Sequence, residues 1–406
     1  MEFNNTLKND DYITLPRIRK FCKENNLGNV EFKISGIKKI ESFGSSSVEN
    51  ECKVNEWLDV IVKEGIKYSY IRKIKENEKS KMFSSEVYWK EFIKKKFQHK
   101  EMKHVNEAKF NNKLEIHNLK LYKEQHIVRK VTFNLGILVY EIKNNKNESP
   151  SLNKIIYPIF VDLNVSKNIF EIRLKSKSKI YIIKSDKGDT TERLGEKVTT
   201  DKMACKVIEF LRNELVFDLE DFNISKNLFF SSYYELLNSL TDTPVAILGK
   251  IDTKREVADY FAKNIFSKLN LNNNYINMAK EDLYIWLEKF ISLSEPDKDI
   301  FIKDKDGYPI KLIATDSDDT KVEETSADME PLQTKPSFFD HKKILQREKL
   351  CDGMSLAFSR EETLYYGEKP FLAIIFYKNG FGVTNFPQYV EEGDIQNVLS
   401  RIIKNI

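Results

Sequence analysis

Apolar residues recur along this chain with two periods, and the period changes from stretch to stretch. In residues 14–28, Ile18, Phe21 and Cys22 share one helical face. Pro16 sits in the first turn and Gly28 supplies a stop, so the spacing predicts a helix. Residues 30–40 predict an extended segment, and Gly44-Ser45-Ser46-Ser47 predicts a loop. Trp57, Leu58 and Ile61 give a helix over 55–64, with Gly65 beyond its end. Ile66, Tyr68 and Tyr70 alternate with polar residues, the period of a half-buried strand. Ser84 or Ser85 opens a further helix with Trp89, Phe92 and Ile93 inward and Lys94-Lys95-Lys96 at its end.

From residue 113 to 177 the pattern turns to strands, over 126–135, 137–143, 155–165 and 169–174. The last two are joined by Ser166-Lys167-Asn168. Helical periodicity returns over 191–293. Ala204, Val207, Ile208, Leu211 and Leu215 form a stripe behind a Thr200 cap. Thr253-Lys254-Arg255-Glu256 has the spacing of a capping box. Val257, Phe261, Ile265 and Leu269 form the face expected to be buried behind it, and Leu283, Trp286, Leu287 and Phe290 form the next stripe. Lys305-Asp306-Gly307-Tyr308 predicts a hairpin. Residues 316–336 lack an apolar pattern and include Asp316, Asp318 and Asp319, so they predict an acidic linker. Beyond it, the apolar run 371–377, the turn Asn379-Gly380 and the return strand 383–386 predict a hairpin. Asp394 caps a last helix with Ile395, Val398, Leu399 and Ile402 inward.

These elements predict an α+β fold in three parts. A basic, strand-rich N-terminal region covers 1–190, a helical middle 191–295, and a small α+β module with the acidic linker 296–406. Composition supports folded cores, with 41% hydrophobic and 12% aromatic residues among the 406. The first residues carry no basic, apolar leader, and the longest apolar run falls far short of the roughly 20 residues of a membrane span. The expectation is a cytoplasmic protein. Cys22, Cys52, Cys205 and Cys351 stand far apart with no C-x-x-C, which argues against zinc-finger and thioredoxin spacings and for free thiols. Abundant Lys, Asn and Ile with few Gly and Pro suggests an AT-rich bacterial genome.

Charge changes this picture. Residues 1–200 hold 40 Lys and Arg against 27 Asp and Glu, whereas residues 201–406 hold 26 against 35. A basic half points to a polyanion, DNA or RNA, and an acidic half to a protein partner. The candidate phosphate contacts are Lys94, Lys95 and Lys96, and the alternating Arg173, Lys175, Lys177 and Lys179, which would form one ridge on a strand. A further run holds Arg72, Lys73, Lys75, Lys79 and Lys81. Tyr68, Tyr70 and Trp89 lie near enough in sequence to stack on bases.

Catalytic motifs are sparse. There is no phosphate-binding Gly-rich loop and no Gly-x-Ser-x-Gly elbow. His99, His104, His117 and His126 cluster in sequence, but none has a partner at metal-ligand spacing. Glu141-Ile142-Lys143 matches the acid-x-Lys half of Mg-dependent PD-(D/E)xK nucleases, with Glu124 or Glu115 as the upstream acid. Asp162 with Glu171-Ile172-Arg173 has the same layout, but Arg replaces Lys and cannot act as a base. Three functions remain open at this level. The first is a nucleic-acid-binding or assembly subunit of a bacterial mobile-element or antiviral defence system, without its own catalysis or cofactor. The second is a Mg-dependent nuclease using Glu141 and Lys143, and the third a protein–protein scaffold.

Overall fold

The computed structural model describes residues 1–9, 12–98, 101–143, 151–185, 192–315, 321–326, 328–360 and 369–406. The chain begins with helices α1 (Asn5–Asn9), α2 (Leu15–Glu24), α3 (Lys33–Ser45) and α4 (Val48–Ile61) and then enters strand β1 (Gly65–Lys73). Helices α5 (Glu78–Lys81) and α6 (Glu86–Lys96) precede six strands: β2 (Glu115–Glu124), β3 (Ile127–Lys143), β4 (Ser151–Asn164), β5 (Ile169–Lys175), β6 (Ile180–Ser185) and β7 (Glu192–Val198). Helices α7 (Thr200–Leu215), α8 (Phe222–Leu240), α9 (Val245–Asp252), α10 (Arg255–Lys268) and α11 (Ile276–Ser294) follow. Strands β8 (Gly307–Thr315) and β9 (Lys321–Thr325), helix α12 (Pro336–Glu348), strands β10 (Gly353–Phe358), β11 (Phe371–Lys378) and β12 (Phe381–Val390), and helix α13 (Glu392–Lys404) come last.

The described residues form two compact units. One holds residues 1–225 and 378–397, the other 226–360, 369–377 and 398–406. Helices and strands are mixed, but the expected order of parts is wrong. The N-terminal region opens on four helices rather than strands. The helical stretch is no separate middle, since α7 belongs to the first unit and α9 to α11 to the second. Strand order explains why. The sheet of the first unit runs β7-β6-β3-β4-β5-β1-β12, with β2 also on β3, and every pairing is antiparallel. β12, from the far end of the chain, completes the ladder beside β1. Hydrophobic period reports a local element and carries no information about which distant strand will pair with it.

Three local expectations also change. Residues 33–45 are helical, not extended. Phe32 and Ile34 are exposed, while Ile37 and Ile40 are buried at helical spacing. Gly36 lets α3 approach α2, because a Cβ there would collide with Ile18. Residues 126–135 and 137–143 are one 17-residue strand, β3, whose first part pairs with β2 and whose later part pairs with β6. On β1 polar positions are covered too: Lys67 and Ser69 are buried along with Tyr70, while Ile66 is exposed.

In the second unit, a four-stranded antiparallel sheet runs β9-β8-β10-β11. Gly307 starts β8 rather than turning a hairpin. The stretch expected as an acidic linker contains β9, which pairs with β8, and Pro336 at the start of α12. Glu324 is buried there and accepts from Ser337 Oγ at 2.5 Å, with His341 Nδ1 at 2.9 Å. Asp316, Asp318 and Asp319 lie outside the described residues.

The stripes on α10 and α11 face the opposite way from expectation. Val257 (65% exposed), Phe261 (55%) and Trp286 (55%) are open to solvent, while Ala258, Ala262 and Phe266 are buried. Thr253 is no N-cap; its hydroxyl donates to the Lys250 carbonyl at the end of α9. All four cysteines are free, and no described helix is long and apolar enough to cross a membrane.

Candidate nucleic-acid interface

The first unit carries a cleft of about 920 Å³ at the end of α6, within the range of ligand pockets. The sequence builds its wall locally. Ser85 caps α6 by accepting from the Tyr88 amide at 3.4 Å. Trp89 is buried, its indole N–H donates to the Phe83 carbonyl at 2.7 Å, and its ring packs against Phe83, Phe92 and Phe133. With Trp89 anchored, the last turn of α6 projects Lys94 and Lys95 into solvent. Lys95, Lys96, Phe92 and Phe97 line the cleft.

The opposite wall is the segment between α6 and β2, which supplies Lys103 and Lys109, both exposed. Lys103 is held by a reciprocal pair of bonds. Its amide donates to the His117 carbonyl at 2.9 Å, and His117 Nδ1 lies 2.8 Å from the Lys103 carbonyl. Burial pushes the His117 imidazole below its usual pKa, so it is neutral at pH 7, with Nδ1–H as the donor. Further along, the Leu138 amide donates to the Asn111 carbonyl at 2.7 Å, and Phe110 lies over Gly136 where a Cβ would enter its ring. His104 is tied to Asp59 at 2.7 Å, a contact that raises its pKa.

The cleft is mixed in charge. Glu101, Glu115 and Glu214 face its four lysines. Lys96 is already engaged, 2.6 Å from Glu214 Oε1 and above the Phe210 ring. Among the described residues no carboxylate lies this close to Lys95, Lys103 or Lys109, and two half-exposed phenylalanines stand among them.

The second basic cluster lies elsewhere, and its first members are covered. Arg173 is 2% exposed, with Nη1 2.5 Å from Glu392, Nη2 3.5 Å from Asp162, and Nε bonded to Glu171. Lys175 is buried above the Tyr12 ring at 4.1 Å. Lys177 is half-buried and paired with Glu141 at 3.2 Å, and Lys179, past the end of β5, is half-buried with a backbone φ of +60°. Both faces of β5 are covered, so the alternation makes no exposed ridge. In the first run, Arg72 is buried against the Gly380 carbonyl and the Phe381 ring, and Lys79 and Lys81 pair with Asp218 and Glu78. Trp89 and Tyr70 are buried and have no free face for a base.

The acid-x-Lys pair lines a separate small cleft with Asn5 and Thr6. Glu141 there faces Lys177 at 3.2 Å and Lys143 at 3.6 Å. Register separates it from both expected upstream acids. Glu115 is opposite Gly136 and Glu124 is opposite Ile127, so the nearer of them stands about 17 Å along the strand. Asp162 and Glu171 do lie directly opposite each other, but Arg173 occupies the space between their carboxylates. No group of three or more His, Cys, Asp or Glu able to hold a metal occurs among the described residues, and His99 falls outside them.

Lys103, Lys109 and Phe97 escaped the sequence pattern. Phe97 directly follows α6, whereas Lys103 and Lys109 sit in a stretch with no period, and only the fold of that stretch over β3 brings those two to α6. No protein family, no curated protein and no solved structure matches this chain.

Proposed function

We propose that this protein is a nucleic-acid-binding subunit without catalysis of its own, and that the cleft beside α6 takes an unpaired stretch of DNA or RNA. The observation that carries the reading is the convergence of Lys95, Lys103 and Lys109 with Phe92 and Phe97. Ammonium groups that have not been neutralised by carboxylates gain by releasing counterions from phosphate. Aromatic faces beside them stack on bases whatever the sequence, which suits a single strand better than a duplex. The excess of basic residues in the first 200 positions adds a long-range attraction. Lys94, exposed next to Lys95 on the last turn of α6 but not lining the cleft, is a further candidate phosphate contact.

Fluorescence anisotropy with labelled single-stranded DNA, single-stranded RNA and duplex DNA over a salt series tests this. Single strands should bind more tightly than duplex. The triple substitution Lys95→Ala, Lys103→Ala, Lys109→Ala should flatten the log–log salt slope by about 2, at roughly 0.7 per phosphate contact. Phe97→Ala should cost about 1–3 kcal/mol of binding. Absence of binding at low salt, or binding that the triple variant leaves unchanged, refutes the proposal.

A further inference from the structure

The second unit presents a face that a solvated monomer has no use for. Val257, Tyr260 and Phe261 on α10, Leu269 just beyond it, and Trp286 and Phe290 on α11 are each about half exposed or more. With aromatic side chains of about 150–250 Å² each, these six expose on the order of 600 Å² of apolar surface. That is at the top of what monomers carry, and approaches the roughly 800 Å² per partner of a standard interface before any polar rim is counted.

We propose that this face is a homodimer interface, covered by the same face of a second copy of the chain. Two observations select a second copy. The first is shape. Between α10 and α11 runs a groove of about 780 Å³, partly lined by the small residues Ala258, Ala262 and Ala279. Trp286 and Phe290, with ring centroids 4.8 Å apart, project from α11, and Trp286 also lines the groove. Depression and projection thus share one surface, which is the requirement of an isologous two-fold contact. The second is charge. Pairs within the unit take up Arg255 with Asp252, Asp259 with Lys280, Asp282 with Lys343, Lys289 with Asp340 and the buried Glu288 with Lys342; among the described residues this leaves Lys263 and Lys268 against Glu256 on α10, and Glu281 on α11. Their net charges, +1 and −1, are opposite, so a dyad that lays α10 on the partner copy's α11 is complementary twice over. A strongly basic or acidic partner would find no matching field here.

Sedimentation velocity of the full chain from about 1 to about 100 µM measures the association directly. A reversible dimer is expected, and Trp286→Glu and Phe261→Glu should each yield a monomer with an unchanged far-UV spectrum, because both side chains face solvent within the unit. Tryptophan emission supplies a second readout that needs no disruptive variant. Trp89 is buried and Trp57 packs against Phe21 in the core of the first unit, so neither changes, whereas Trp286 passes from covered to exposed on dilution; emission should shift to the red, and Trp286→Phe should abolish the shift while retaining the dimer. A wild-type chain that stays monomeric at the upper concentration overturns the proposal, even if it captures an amphipathic helix or detergent on this face. A dimer that survives both Glu substitutions overturns it equally.

Discussion

The ammonium of Lys96 lies 2.6 Å from the carboxylate of Glu214, so one of the three consecutive lysines at the end of α6 is already neutralised by α7. The pair is about a quarter exposed on each side, shielded enough to hold its geometry and open enough to exchange partners. Glu214→Gln should therefore release a fourth ammonium into the cleft. Nucleic-acid affinity at low salt should rise, and the salt slope should steepen by about 0.7 for a single strand. Anisotropy across the same salt series reads both effects. An unchanged slope would mean that Lys96 does not reach the phosphate path.

Arg173 is expected to matter to stability and not to recognition. It is enclosed by Asp162, Glu171 and Glu392, with Lys130 2.8 Å from Asp162 on the far side. Burial works against ionisation of Asp162, but Arg173 and Lys130 outweigh it and hold the carboxyl below its ordinary pKa. Burial pushes Glu171 upward. Arg173→Ala would strand these acids without their cation, at a cost of about 3–5 kcal/mol. Urea denaturation measures the loss. A variant of wild-type stability that loses nucleic-acid binding would return Arg173 to the binding surface.

Glu64 makes stability depend on pH in a defined window. Burial raises its pKa from 4.5 to about 6, against the opposing pull of Arg17 at 2.6 Å. A raised folded-state pKa means that the folded chain holds the proton more tightly than the unfolded one. The contribution is thus fully present below about pH 4.5 and is lost as pH rises through about 6, a change of about 2 kcal/mol. Glu64→Gln should be flat over that interval, since Arg17 keeps Glu391 at 3.0 Å. Chemical denaturation at several pH values, wild type against variant, isolates the difference.

Gly136 supports the cleft from below. A methyl group there would enter the Phe110 ring, next to Lys109. Gly136→Ala should cost about 1–3 kcal/mol through overpacking and weaken nucleic-acid binding by displacing the segment that carries Lys109. Adding Phe110→Ala should recover part of the loss. A double-mutant cycle on unfolding free energy gives the coupling, and strict additivity would show that the two sites do not communicate.

The sequence by itself determined elements whose cause is local. The stripe Ala204, Val207, Leu211 and Leu215 is buried on α7, and Ser85 caps α6. Asn379 and Gly380 take positive φ between β11 and β12, because both tolerate the left-handed region. Tertiary structure alone decided which faces are covered and by what. An alternation of charge along β5 is identical on paper whether the face meets water or Glu392, and only the partner strands and the start of α13 bury Arg173. The apolar stripes of α10 and α11 show the converse: period marks a face that gains by leaving water, but it does not say whether the same chain supplies the cover. The cleft is the clearest case. Lys103 and Lys109 lie in a segment without period, and the contacts of that segment with His117 on β2 and with Gly136 and Leu138 on β3 bring them beside Lys95 on α6. Convergence of side chains is a property of pairing and packing between residues far apart in sequence, which no local pattern encodes.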